Sequence, residues 1–419
     1  MAVETLQAEA LFQATDAQTL GFRSTAELPD VDSAMGQDRA IAAIEFGVGI
    51  QREGYNLFVA GPTGIGKRTL VDQLLARHAG ERGEASDWCY VNNFEDPSRP
   101  RALALPPGKG VQLKRDMEKL IERMLVTVPN VFRGDEYRRR ISDIQEEYQE
   151  REGKLFGDLN EEARGKGMVV IRTPGGYTIG PVREGKLMTP AQFNDMSKEE
   201  QDLAKAVIEE LNRKLKTIIE NIHDWQEEST DRVKAIDNEF IHDIIDPMMV
   251  ALKSRYQMYP AVLEFLGAAH QDMAENIWDF MPNEQQEGNT PLRKKVFAME
   301  HLRYHVNVLV DHDGASGVPV LYEDNPTLQN VIGRIEHIAQ MGTLVTNFSL
   351  IKPGALHRAN GGYLVLDARK VLMSSFVWDA LKRAIRSREI RIESIERILS
   401  LVSTTSLEPE PIPLDVKIV

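Results

Sequence analysis

The sequence predicts an α/β fold: a parallel sheet split by a long helical, coiled-coil insertion that carries a small β-hairpin. Three observations predict it. A glycine-rich loop, Gly61 to Thr69, stands between a short apolar run and a helical pattern. A second apolar run, Tyr363 to Leu366, ends in Asp367. Between the two lies charged amphipathic helix far longer than a strand-to-strand crossover needs.

At 419 residues the chain exceeds one ordinary domain, and its hydrophobic share of 42% and charged share of 27% are those of a folded globular protein. Lys+Arg 50 against Asp+Glu 64 gives a net charge of -14. Such a surface repels phosphate backbones and anionic lipid, which argues against nucleic acid as a partner. A single cysteine, Cys89, and nine scattered histidines without CxxC or HExxH spacing exclude an internal disulfide and the usual structural zinc motifs, and fit a reducing, cytoplasmic setting. The longest apolar runs, about six to eight residues, fall far short of the roughly 20 that cross a bilayer, and the N-terminus lacks the basic start and apolar centre of a signal peptide.

Along the chain, residues 38 to 50 have apolar positions at helical spacing, Tyr55 to Ala60 (YNLFVA) is a candidate strand, and Arg68 to His78 is again helical. A strand is expected at Trp88 to Asn92, followed by a proline-rich loop. From about Val111 to Met281 helices dominate. Leu203, Val207, Leu211, Leu215, Ile218, Ile222, Trp225, Val233, Ile236, Phe240 and Ile244 recur mostly at steps of three and four, so they share one helical stripe. Ser197 and Glu200 form a capping box that starts this helix, and Pro247 is expected to end or kink it, giving about 48 residues or roughly 70 Å. A matching stripe, Tyr137, Ile141, Ile144, Tyr148, Leu155, Leu159 and Ala163, supplies an antiparallel partner. Between them MVVIR and YTIGPV flank TPGG, a hairpin at the tip. The simplest reading of these stripes is packing between helices. From Tyr304 strands return: YHVNVLVD, VPVLYEDNP and GGYLVLDA.

The loop Gly61-Pro62-Thr63-Gly64-Ile65-Gly66-Lys67-Arg68-Thr69 carries the chemistry. Glycines let backbone N–H groups turn inward around a polyphosphate, the helix N-terminus faces its charge, and Lys67 reaches the outer phosphates, which marks ATP or ADP as the ligand. One position departs from the pattern. A Ser or Thr hydroxyl that holds Mg²⁺ normally follows the lysine; here Arg68 does, and Thr69 is turned about 100° further round the helix. Asp367, at the end of its strand, is the candidate Mg²⁺-positioning acid. Ala368 follows it, where a hydrolysing enzyme of the AAA+ phosphate-loop class has a water-activating glutamate. The competing readings are an ordinary glycine turn and a strand-end capping acid.

At these residues the sequence resembles a known family. IKPGALHRANGGYLVLD, Ile351 to Asp367, is similar to the stretch through the second nucleotide motif of Lon proteases of the archaeal LonB and bacterial Lon-like kind. Gly36-Gln37-Asp38-Arg39-Ala40, VNNFEDPSRPRALALPPGKG and VLYEDNPTLQNVIGRIEH resemble further blocks of the same group, so the likeness spans about residue 36 to 419. It implies an AAA+ nucleotide-binding domain in two parts, 36–110 and 301–419, after an N-terminal segment 1–35, with the helical arm 111–300 between them and its hairpin near 168–182. It further implies a homo-oligomeric, hexameric machine that unfolds damaged or unfolded protein substrates and passes them to a Ser-Lys protease region, with Phe348 a candidate pore-loop aromatic or, equally, a buried side chain. No Ser and Lys here match that protease motif, so the lid and peptidase are expected beyond Val419, with no catalytic residue in this chain.

Two other readings stand beside this one. A structural-maintenance type ATPase also places a coiled arm between its nucleotide motifs, but its LSGG-like signature is absent. A nucleotide-sensing or substrate-recognition module without turnover is suggested by Arg68 and Ala368.

Overall fold

The computed structural model describes residues 7–12, 14–28, 37–50, 52, 54–173, 176–183, 186–282, 301–340, 343–392 and 407–419. Gly36, and Pro174 and Gly175 where a turn is expected, lie outside them. In chain order the elements are α1 (Asp38–Gly49), α2 (Lys67–Ala79), β1 (Asp87–Val91), β2 (Arg101–Leu105), α3 (Lys109–Phe132), α4 (Asp135–Gly165), β3 (Met168–Thr173), β4 (Gly176–Arg183), β5 (Lys186–Leu187), α5 (Pro190–Asn194), α6 (Lys198–Arg255) and α7 (Pro260–Glu275). There follow β6 (Val306–Val310), β7 (Val320–Glu323), α8 (Leu328–Ile332), β8 (Arg334–Ile335), β9 (Ile338–Gln340), β10 (Thr343–Val345), β11 (Ile351–Lys352), α9 (Ala355–Arg358), β12 (Tyr363–Leu366), α10 (Ala368–Met373), α11 (Val377–Ser387), β13 (Glu389–Ile390), β14 (Ile412–Pro413) and β15 (Lys417–Ile418). Helices and strands are mixed, and no described helix is long and apolar enough to cross a membrane.

A three-stranded parallel sheet in the order β15-β12-β7 organises the half that carries the glycine loop. Tyr363 pairs with Val320 and Leu366 with Glu323, so the two strands end level and Asp324 and Asp367 follow at the same edge. The sharp turn into β12 depends on Gly362: an added Cβ would lie 2.1 Å from the Pro319 carbonyl oxygen, which already accepts from Tyr363 N at 2.8 Å. Tyr55 to Ala60 is not a strand in the structure. It meets β15 only where Leu57 N donates to Ile418 O (2.9 Å) and Ile418 N donates to Asn56 Oδ1 (3.0 Å). Phe58 and Tyr55 remain exposed, so too little of this run is buried to fix a ladder.

The expected strand near Trp88 forms as β1, but in a separate antiparallel sheet, β2-β1-β6. Its alternation explains why both faces are apolar. Cys89 and Val91 enter a core with Leu113, Met117 and Met124 of α3, Ile245 and Met249 of α6 and Phe265 of α7, whereas Tyr90 enters a second core with α8, α9, β12 and α11. The buried Asp87 carboxylate ties the sheet to its surroundings, accepting from Gly110 N at 3.0 Å and His312 N at 2.8 Å. Burial nonetheless pushes its pKa up, against these two amides.

The arm is an antiparallel pair, α4 against α6. Tyr137 donates to Asp237 (2.7 Å), Arg232 to Glu147 (2.9 Å), Lys214 to Glu162 (2.5 Å) and Lys166 to Glu210 (2.8 Å), so the partner's number falls as that on α4 rises. The Ser197–Glu200 capping box is present. Pro247 does not end the helix: α6 runs 58 residues through it. Ile244, Ile245, Met249 and Leu252 on both sides lie in the helical core, and their burial offsets the lost backbone bond. The expected stripe is displaced at its start, where Leu203 is 72% exposed and Ala204 is buried instead. Near the far end Leu159, Ala163, Leu211 and Leu215 pack with Met168 and Ile179 of the β3–β4 hairpin, and Phe156 stacks on Tyr177 at 4.5 Å.

Leu211, fully buried in the arm, is expected to cost about 2–5 kcal/mol of local stability on truncation to Ala; amide hydrogen exchange should speed up across α4, β3, β4 and the first half of α6 while α7 keeps its protection. His357 offers a second measurement. It is wholly buried, its Nδ1 accepts from Gly354 N (3.2 Å), and burial pushes its pKa from 6.5 down to about 3. The folded state therefore keeps it neutral while the unfolded chain takes up a proton below about pH 6.5, so its contribution is present above that pH and is lost on acidification, at about 1.4 kcal/mol per pH unit. Urea titrations at pH 7, 6 and 5 should show a steeper loss for the native chain than for His357→Gln.

Candidate phosphate-binding site

The first turn of α2 is left open. Gly64 (φ 86°) and Gly66 (φ 79°) occupy the left-handed region that side chains with a Cβ rarely adopt, and Gly66 stands at the N-cap with no side-chain cap. Among the described residues, no acceptor takes the amides of Thr63 to Gly66. Uncapped amides at a helix N-terminus, with the positive end of the helix dipole behind them, form a cradle for an anion. Gly61, Pro62, Thr63 and Ile65 complete the loop on the surface.

Lys67 closes the loop in this structure. Its ammonium donates to the carbonyls of Gly61 (2.5 Å) and Pro62 (2.7 Å). Ile65 folds back beside it, so that a Cβ added to Gly61 would lie 2.8 Å from Ile65 Cδ1. Both acceptors are neutral, and an ammonium bonds more strongly to a charged oxygen than to a carbonyl.

Packing of α2 sets where this cradle lies. Leu70, Val71, Leu74 and Leu75 are buried with Val318, Tyr363 and Val365, and Val320, Tyr322 and Leu57 pack against them. The helix thus rides on the β7–β12 face. Arg68 Cζ lies 3.7 Å from the centroid of the Tyr322 ring and its Nε 3.4 Å from Asp72 Oδ2. A guanidinium on a ring at an exposed site gains about 0.5–1 kcal/mol. This contact ties the start of α2 to the end of β7, one pairing step from β12 and two residues before Asp324.

Asp367 occupies the end of β12 as expected, but it also caps α10: Oδ1 accepts from Arg369 N (2.9 Å) and Lys370 N (3.1 Å). Lys370 Nζ reaches across to Asp324 Oδ1 at 2.8 Å and to the Asp324 carbonyl at 2.7 Å. The side-chain bond to Lys370 holds the Asp324 carboxyl below its ordinary range. Tyr322, Asp324 and Lys370 were not singled out from the sequence. VLYED, an apolar run ending in acids, has the same form as YLVLD and could have pointed to Asp324.

These residues do not fit a magnesium site of the usual phosphate-loop kind. Arg68 puts a cation where a hydroxyl ligand is required, and Thr69 lies round the helix from it. Asp367 commits one oxygen to two amides and Asp324 one to Lys370. Phe348 also departs from its expected role. It is 4% exposed, inside the second core beside Ile351 and Val331, where a threaded chain cannot touch it. Among the described residues of that region, Ile338 and Leu344 on β9 and β10 are large apolar side chains left exposed.

Residues 316–419, from just before β7 through β12 and Asp367 to β15, match the family model of a LonB-like AAA domain, and residues 87–120 match that of the helical domain of Lon-like LonC proteins. Over these two stretches the chain is similar to Lon-like proteins. The AAA match covers the carboxylates of the site, and the helical match covers β1, β2 and the first half of α3, which share a core with α6 and α7. No curated protein matches the chain.

Proposed function

We propose that this Lon-like chain is the ATP-binding module of a protein-unfolding protease, with Gly61 to Thr69 holding the phosphates of ATP or ADP and Asp367 standing at the adjoining strand end. One observation carries the reading: an uncapped helix N-terminus with two left-handed glycines and a lysine, seated by α2 on a parallel sheet whose strands end in Asp324 and Asp367. Ligands in open α/β sheets bind at the carboxyl ends of the strands, and this loop lies there. The family suggests ATPase and protease activity at a coarse level. The finer reading is a homo-oligomeric, hexameric ring in the cytoplasm that threads unfolded protein substrates toward a Ser-Lys peptidase region outside these residues.

Arg68 and Ala368 favour a second reading of the same site, nucleotide sensing without turnover. The guanidinium beside Tyr322 supplies positive charge on the protein side, so binding needs no metal bridge, and no carboxylate follows Asp367 to activate water.

Lys67→Ala is expected to weaken ATP binding by at least tenfold in calorimetry of the full-length protein; unchanged affinity refutes the site. The native chain should bind ATP with affinity within about threefold in Mg²⁺ and in EDTA, whereas Arg68→Thr should make binding Mg²⁺-dependent, each tenfold corresponding to about 1.4 kcal/mol. Phosphate release no faster than that of the Lys67→Ala protein supports sensing, and faster release supports the ATPase.

A further inference from the structure

Far along the chain from the phosphate loop, α6 and α7 bring two imidazoles and one carboxylate together. His242 and Asp246 stand four residues apart on one face of α6, and His270 approaches from α7. His270 Nε2 lies 2.8 Å from Asp246 Oδ1 and His242 Nδ1 lies 3.4 Å from the same oxygen; one ligand atom from each residue falls within 4.8 Å of the others. Two donors on one small ion, each about 2.0–2.1 Å away, stand roughly 3–3.5 Å apart. The 3.4 Å separation falls within that range and the 2.8 Å one just below it, before any ion is considered.

We infer that His242, Asp246 and His270 form a binding site for one borderline first-row divalent cation, of the zinc, cobalt or nickel class, that clasps α6 to α7 where the arm leaves the helical body. Two imidazoles with a single carboxylate suit such ions. They do not suit magnesium or calcium, which require mostly oxygen donors. Three protein ligands leave one or more positions to water, in keeping with side chains that are 60%, 47% and 24% exposed for His242, Asp246 and His270. The backbone beneath is rigid: Ile245 and Met249 flank Asp246, Ala269 and Met273 flank His270, and all four are buried in the same core. The i and i+4 spacing puts two donors on one helical face, as in other helix-borne metal sites.

Lys253 is the group that opposes binding. Its Nζ lies 3.5 Å from His270 Nδ1. A metal on Nε2 leaves the proton on Nδ1, which can then no longer accept from the ammonium, so Lys253 has to swing into solvent. Gln at this position could instead accept from Nδ1–H, the orienting contact that metal-bound histidines usually have.

Calorimetric titration of the nucleotide-free full chain with zinc chloride, in chelator-free buffer, tests the site. The expected result is one ion per chain, with affinity falling by roughly tenfold or more in His270→Ala and in the surface variant His242→Ala, and rising in Lys253→Gln, and with no competition from excess Mg²⁺. Thermal melting of the native chain should move up with zinc while that of His242→Ala does not. Absence of saturable zinc binding overturns the inference, as does binding that survives in both His242→Ala and His270→Ala, since the ion then sits on other histidines.

Discussion

The burial of one helix face against one strand pair fixes the position of the glycine loop and the carboxylates beside it. Leu70, Val71, Leu74 and Leu75 of α2 cannot leave the β7–β12 surface without exposing Val318, Tyr363 and Val365 as well, and each such side chain contributes about 1.5–3 kcal/mol of burial. With α2 held there, its N-terminus has to open at the carboxyl edge of the sheet, next to the residues that follow β7 and β12. The glycine loop is thus aimed by hydrophobic packing one to two turns away. The contact of Arg68 with Tyr322 is a second, weaker tie at the same edge.

The helical half obeys a different constraint. A 58-residue helix with an apolar stripe along it has to cover that stripe, and α6 does so twice. Its first part pairs with α4 and the hairpin, held by Leu211, Leu215 and a ladder of ion pairs at the solvent edge. Its last part joins α3 and α7 around Ile245 and Met249, under the antiparallel sheet. Exposed ion pairs of this kind contribute little each; their value lies in fixing the antiparallel register. The His242, Asp246 and His270 group sits at the change from one environment to the other.

Local signals were legible in the sequence and non-local ones were not. Ser197 and Glu200 announced the start of α6, and the alternating spacings announced its partner α4, because these depend on neighbours within a few residues. The sequence also placed Asp367 at a strand end, and the glycines of the loop before a helix. It did not reveal that β1 pairs with β2 and β6 instead of joining the parallel sheet: β6 is more than two hundred positions away, and β2, though near, lies in the stretch read as a proline-rich loop. That α6 runs on through Pro247 was not legible for the same reason: the cost of a proline is local, and the burial that outweighs it comes from α3 and α7. Phe348 could be read as a surface aromatic until Ile351 and Val331 closed around it. Tyr55 to Ala60 has the composition of a strand but not the burial of one. The capping duty of Asp367 and the bridge from Lys370 to Asp324 arise from side chains that meet only after the strands align.

The central claim is that the open amides at the head of α2 receive the phosphates of a nucleotide. Hydrogen–deuterium exchange of the full-length protein with and without saturating ADP tests it directly. Slowed exchange confined to Gly64 through Thr69 and the start of α10, with α7 unaltered, is the result predicted. Unchanged exchange at those amides while the nucleotide is bound elsewhere on the chain would contradict it.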